Sequence, residues 1–252
     1  MRDRYLPKRS GQRSNEKDHL EDLVSDFGVS QDIDLDGALQ HVFDMWRSVN
    51  KDLSEIGDSI STKVESGDAS LRGLLRARVK MTHELLFSEI LVNAGEYRKA
   101  TDPNRGSVFF GGRKKQTTQP RYRGANPSDI EEGLSNAFSH LEYQPDAGKK
   151  EITRSAALFY AAFVRVHPFY DANGRIGRFL VTLYLYVHGY YIDWSTVSTK
   201  RSEFHRRLNK HHDTCEDLSP EVRERYISIL ESFFLKRIVS VETLTQSDES
   251  DG

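Results

Sequence analysis

Residues 167–178 read HPFYDANGRIGR, and they lie between two apolar stretches, ITRSAALFYAAFVRV at 152–166 and FLVTLYLYVHG at 179–189. In the first stretch Ile152, Ala156, Phe159, Phe163 and Val166 recur at helical steps. From the end of the quoted motif onward, Ile176, Phe179, Leu180, Leu183, Tyr184 and Val187 do the same. Pro168 disfavours an α conformation at His167 and so ends the first helix there, and Gly189 closes the second. A charged loop held between two apolar helices is a polar site on a rigid frame.

Working outward, Leu39, Val42, Phe43, Trp46, Val49 and Leu53 mark one buried helical face from Leu35 onward, and the pattern Leu71 to Leu91 predicts a second helix over 70–92 stopped near Gly95. Residues 94–126 lack helical period and are rich in Gly, Pro, Thr, Arg and Lys. Their strand-like pieces, 107–110 and 119–123, flank Gly111 to Lys115 and predict an irregular β-hairpin. Asn126-Pro127-Ser128-Asp129 then opens another helix with Ser128 as its cap and Ile130, Leu134, Phe138 and Leu141 facing inward. The fold class read from this is all-α, a helical bundle carrying a small β-hairpin. Its parts are a polar N-terminal extension over 1–34, a core over 35–195, a C-terminal helical extension over 196–240 and an acidic tail over 241–252. The chain of 252 residues is long enough for one well-buried core.

Composition narrows the function. With 36 Lys and Arg against 38 Asp and Glu there is no net field to recruit nucleic acid or an anionic membrane. One cysteine, Cys215, excludes an internal disulfide and a thiolate metal cage. No signal-peptide core follows Met1 and no run approaches the ~20 apolar residues of a membrane helix, so a soluble cytoplasmic protein is expected. His211, His212, Asp213 and Cys215 cluster in sequence, but their spacing matches no zinc pattern.

The loop holds the groups that transfer from a nucleoside triphosphate requires. His167, read as titrating near neutral pH, can take a proton from an attacking hydroxyl. Asp171 is a hard oxygen ligand suited to Mg²⁺ on nucleotide phosphates. Asn173 and Gly174 begin the next helix, whose N-terminus favours an anion, and Gly174 lets a phosphate approach the main chain. Arg175 and Arg178 can hold phosphate oxygens. Two arginines in a first turn oppose the helix dipole, so an anion explains them better than helix stability does.

The motif resembles the signature of the Fic family, His-x-Phe-x-Asp/Glu-Gly-Asn-Gly-Arg-x-x-Arg, at every fixed position except Ala172, where the family usually has Gly. Ala94-Gly95-Glu96-Tyr97-Arg98 is similar to the family's lead into its flap, and the resemblance covers about residues 37 to 195. It implies a protein adenylyltransferase with ATP and Mg²⁺, releasing pyrophosphate as AMP passes to a Tyr, Thr or Ser hydroxyl of a target protein. Position by position, it makes His167 the base and Asp171 the Mg²⁺ ligand. Phe169, Ala172, Asn173, Gly174, Arg175 and Arg178 become the nucleotide-binding set, in which Phe169 anchors the loop. The hairpin at about 105–123 becomes a flap that lines up the target by β-augmentation. A Doc-like branch with the same fold transfers phosphate instead, and Ala172 leans toward it while Gly174 leans away. A binding module that has lost catalysis is the alternative of another class. The family's inhibitory Ser/Thr-x3-Glu pattern has its nearest match at Ser61 to Glu65, which would pair Glu65 with Arg178. Otherwise inhibition falls to a small antitoxin, or there is none, and a homodimer is left open.

Overall fold

The described residues of the computed structural model are 16–30, 32–113, 120–194, 201–212 and 219–241. Among them run α1 (Glu16–Phe27), α2 (Leu35–Lys51), α3 (Leu53–Glu65), α4 (Leu71–Phe87), β1 (Phe109–Arg113), β2 (Pro120–Arg123), α5 (Ile130–Phe138), α6 (Lys149–Val166), α7 (Asn173–Val187), β3 (Tyr190–Ile192), α8 (Arg201–His212), α9 (Pro220–Leu235) and β4 (Ile238–Ser240). The all-α class with a small hairpin is therefore correct. Where length alone allowed a single core, the chain groups into two compact units. One comprises residues 1–52, 77–134 and 163–176, the other 53–76, 135–162 and 177–252.

In the first unit, α1 occupies part of the stretch read as a polar extension. Leu20, Leu23, Val24 and Phe27 fall on one face and are buried, so four well-spaced apolar residues suffice for docking in an otherwise charged segment. Residues 88–92, expected to continue α4, turn away after Phe87. The backbone N–H of Val92 donates to Phe27 O and that of Val29 to Ile90 O, so pairing with the end of α1 replaces the helical ladder. β1 and β2 pair antiparallel, Phe109 opposite Arg123 and Phe110 opposite Tyr122, with a register shift between Phe110 and Arg113. Ser128 does not cap α5: a 3₁₀ turn over Pro127–Asp129 precedes that helix, and the Ser128 hydroxyl donates to Asp129.

The helix expected to run on from Leu35 breaks at Asp52, whose N–H caps α2 on Ser48 O, and α3 starts afresh in the second unit. Gly57 lets α3 lie against the Tyr186 ring, where a Cβ would stand 2.3 Å from a ring carbon, and Tyr186 donates to Asp58 at 2.9 Å. From Phe179 to Leu185, α7 is buried on nearly every side, as a central helix must be when its sequence is apolar all round. The residues read as a C-terminal extension share this core. Phe204 of α8 and Phe234 of α9 both pack on Tyr160 of α6, and Trp194 meets Phe234 edge-on at 5.7 Å. β3 pairs with β4, Ile192 opposite Ile238, a pairing that the sequence did not predict. Residues 242–252, most of the acidic tail, lie outside the described residues, as do Asp213 and Cys215.

Candidate active site

α6 ends at Val166 as expected, and His167 adopts φ 54°. A histidine in the left-handed region is uncommon and costs about 1 kcal/mol, so the surroundings must impose the turn. Arg98 does so. It is 2% exposed, and its guanidinium donates to His167 O at 2.8 Å, Val166 O at 3.3 Å, Ala125 O at 2.9 Å and Gly106 O. Its own backbone N–H donates to Pro168 O at 3.1 Å. One cation thus satisfies carbonyls at the C-terminus of α6, where positive charge is favoured, and at both ends of the hairpin. Burial pulls its pKa down to about 10, which leaves it charged at neutral pH.

The loop after Pro168 closes on itself. Asn173, 2% exposed, accepts from Phe169 N–H at 3.0 Å and donates to Phe169 O at 2.9 Å. The phenyl ring of Phe169 stacks on His83 with centroids 4.0 Å apart. Ala172, at φ 59°, donates its N–H to the Asp171 carboxylate, and its carbonyl accepts the first helical bond of α7, from Ile176. Its positive φ is the physical reason for glycine at this position in the resembled signature. Burial would raise the Asp171 carboxyl, but Arg175 at 3.2 Å, with His19, the Ala172 N–H and His83, holds it below the usual range, so it is ionised at neutral pH.

His167 differs from the sequence expectation in its basicity. Burial, with Arg98 nearby, brings its imidazole down to about 4 instead of leaving it near neutrality. The Phe110 ring stacks on it at 4.6 Å, and Nδ1 lies 3.2 Å from Val164 O. A carbonyl can only accept, so the neutral ring carries its proton on Nδ1 and leaves Nε2 as the basic atom.

His167, Phe169, Asp171, Ala172, Asn173, Gly174 and Arg175 are therefore together in the first unit. Arg178 belongs to the second, where its guanidinium lies 6.0 Å from the centroid of the Trp194 ring. Two of the expected anion contacts are already used: the Asn173 side chain holds the loop, and the Ala172 N–H serves Asp171. Glu65 is exposed at the end of α3 and forms no ion pair with Arg178. Among the described residues no group of three or more His, Cys, Asp or Glu could hold a metal. The donor set here is one ionised carboxylate, which fits Mg²⁺ arriving with nucleotide phosphates, because that ion typically takes one or two carboxylates and keeps its waters.

Two residues with roles at this loop were not singled out from the sequence. His83 falls on the buried stripe of α4 with Val79 and Leu86, and a histidine at such a position was the available signal. It accepts the Gly95 N–H on Nδ1 at 2.9 Å, and burial lowers it to about 3. Arg98 was quoted within the segment leading to the hairpin, but its contact with the His167 carbonyl lies across 69 positions of chain and has no local signature.

Residues 74–185 match the sequence profile of the Fic/DOC family. The likeness to that family thus covers 112 of the chain's 252 residues and includes the whole of the motif at 167–178. It is 34% identical over 104 residues to a Fido domain-containing protein of Dictyostelium discoideum, a match covering 40% of this chain and 60% of that relative's length. Among solved structures it is similar to the N-terminal Fic domain of a VirB-translocated Bep effector from Bartonella quintana, with TM-score 0.48 and 16% identity over 82% of this chain and 89% of that one. It is also similar to the BepC protein of Bartonella tribocorum with bound AMPPNP, with TM-score 0.46 and 14% identity over 78% and 87%.

Proposed function

We propose that this protein transfers AMP from ATP to a hydroxyl side chain of another protein. The observation that carries the reading is the state of His167, a neutral imidazole with Nδ1 turned to Val164 O and Nε2 left basic, six positions before the first turn of α7. Nε2 takes the proton of the acceptor hydroxyl as its oxygen attacks the α-phosphorus. The bond from that phosphorus to the bridging oxygen breaks, and pyrophosphate leaves with the electron pair. The N-terminus of α7 and Arg175 hold the phosphates, Arg175 exchanging Asp171 for a phosphate oxygen. Mg²⁺ bound at Asp171 would neutralise charge on the departing pyrophosphate. The hairpin offers a strand edge to the target segment.

Incubation of the protein and a cell lysate with ATP labelled separately at the α and γ positions tests this. Label on a protein from the α position and none from the γ position is the expected result. The reverse would replace AMP transfer with phosphate transfer, and no label from either would leave a binding module.

A further inference from the structure

We infer that the base of the hairpin recognises an acidic protein segment through Arg105 and Arg123, so that the target is chosen by carboxylates near its acceptor hydroxyl. The inference rests on the reading of the hairpin as the target-docking strand. A cleft of about 700 Å³ opens beside β1, and Asp102, Asn104, Arg105, Ser107, Phe109 and Arg123 are among its lining residues. Both arginines are exposed. Arg123 donates to the Ser107 hydroxyl at 3.0 Å, and no carboxylate among the described residues forms an ion pair with either guanidinium. Arg165, also exposed, adds a third cation against the same strand by donating to Arg123 O at 2.7 Å. One carboxylate, Asp102, stands in the wall of this cleft and another, Asp129, in that of a neighbouring cleft which Arg123 also lines, and each is occupied. Asp102 accepts from Lys99 N–H at 2.7 Å and Tyr170 OH at 3.0 Å, and Asp129 accepts from Asn126 and Ser128.

Backbone geometry gives an independent reason to single out Arg105. Asn104, Arg105 and Gly106 have φ of 53°, 53° and 67°, three successive residues in the left-handed region. Asparagine and glycine tolerate that conformation and arginine does not favour it, so an arginine kept there on an exposed turn marks a place where the side chain is used. Sequence charge agrees. Residues 105–125 hold Arg105, Arg113, Lys114, Lys115, Arg121 and Arg123 without one Asp or Glu, in a chain whose net charge is −2. Of these, Lys114 and Lys115 and the side chains of Arg113 and Arg121 lie outside the described residues. A peptide fits the cleft better than a nucleic acid. The strand edge can pair only with another backbone strand, the half-buried Phe109 accepts an aliphatic side chain, and Asp102 and Asp129 would repel a continuous run of phosphates.

Binding is measured by fluorescence anisotropy on the full chain without ATP, using ten-residue peptides with a central threonine flanked by glutamate, glutamine or lysine, and a ten-nucleotide oligothymidylate. The glutamate peptide is expected to bind at least tenfold more tightly than the glutamine peptide at low salt, and to weaken as salt rises. Arg105→Gln and Arg123→Gln should each cost roughly threefold to fivefold, and Arg105→Glu should favour the lysine peptide. Arg123→Lys controls for the lost Ser107 bond by keeping the charge, and Arg105→Gln touches no bond of the hairpin. Equal binding of the three peptides overturns the inference, as does tighter binding of the oligonucleotide with the same loss in Arg105→Gln. The two readings fail separately: a glutamate peptide that binds but never gains AMP sinks the transfer reaction, whereas AMP transfer indifferent to flanking charge sinks the acidic target.

Discussion

The signature loop and the hairpin beside it use their polar groups in opposite ways. In the loop the groups are turned on one another: Asn173 on the Phe169 backbone, Ala172 N–H on Asp171, Asp171 on Arg175, Arg98 on the His167 carbonyl. At the hairpin Arg105 and Arg123 face solvent with no carboxylate partner among the described residues. Chemistry that depends on the position of one imidazole nitrogen needs over-determined geometry, while choice of partner needs charge left unspent until the partner arrives. The two regions meet at Arg98, which reaches carbonyls at Gly106 and Ala125 at the hairpin ends as well as His167.

The largest expected effect follows from removing the proposed base. His167→Ala should lower transfer of α-label by roughly 10²–10⁴-fold, about 3–5 kcal/mol of barrier, with little change in melting temperature. Transfer at the wild-type rate would show that the loop's chemistry lies elsewhere. Next comes Arg98→Met, which keeps a long side chain but leaves buried carbonyls without donors. A loss of about 2–4 kcal/mol is expected, a fall of roughly 5–15 °C in melting temperature for a chain of this size. Arg123→Gln on the exposed hairpin should stay within about 0.5 kcal/mol. Equal shifts for the two variants in thermal denaturation by circular dichroism would erase the contrast between the two regions.

Acidity separates the regions as well. His83 is held neutral to about pH 3 when folded but has an ordinary value of 6.5, so below pH 6.5 the unfolded chain takes up a proton that the folded chain refuses. Its stability cost therefore appears as pH falls, at up to about 1.4 kcal/mol per pH unit between those values, and is absent above 6.5. His167, lowered to about 4, adds a penalty of the same sign over a narrower window. Denaturation midpoints between pH 7.5 and 5 should fall with pH, and His83→Phe, which keeps the stack on Phe169, should flatten the slope. An unchanged slope would place the acid sensitivity elsewhere.

The helical class, the end of α6 at Val166 and the hairpin's place were legible because each depends on neighbouring residues: apolar period, a proline, a cluster of glycines. The loop was legible as a set of residue types between two helices, but its internal wiring was not. That Asn173 bonds back to Phe169, or that burial drives His167 to about 4, depends on what surrounds the loop. Arg98 shows the limit most clearly, since its partners lie 8, 27, 68 and 69 positions away. The helix α1 failed for the opposite reason, being local but short of apolar residues. The pairing of β3 with β4 joins two three-residue strands 45 or more positions apart, which no periodicity reports.

Within the loop, the smallest expected effect concerns the one fixed position at which the motif departs from the resembled signature. Ala172 is 3% exposed and sits at φ 59°, where a Cβ crowds the following carbonyl and costs roughly 1–2 kcal/mol. Glycine would remove that cost but would also give the unfolded chain more freedom, worth about 0.4–1 kcal/mol against folding. The difference leaves Ala172→Gly neutral or stabilised by up to about 1.6 kcal/mol, a rise of at most about 6 °C in melting temperature. Its effect on transfer should be smaller than that of any change to His167 or Asp171, because Asn173 and Arg98 hold the loop on either side of it. A clear loss of stability on Ala172→Gly would mean that the methyl group, buried as it is, contributes packing that outweighs its backbone strain. The alanine would then be a fitted part of this loop and not a tolerated departure from the motif.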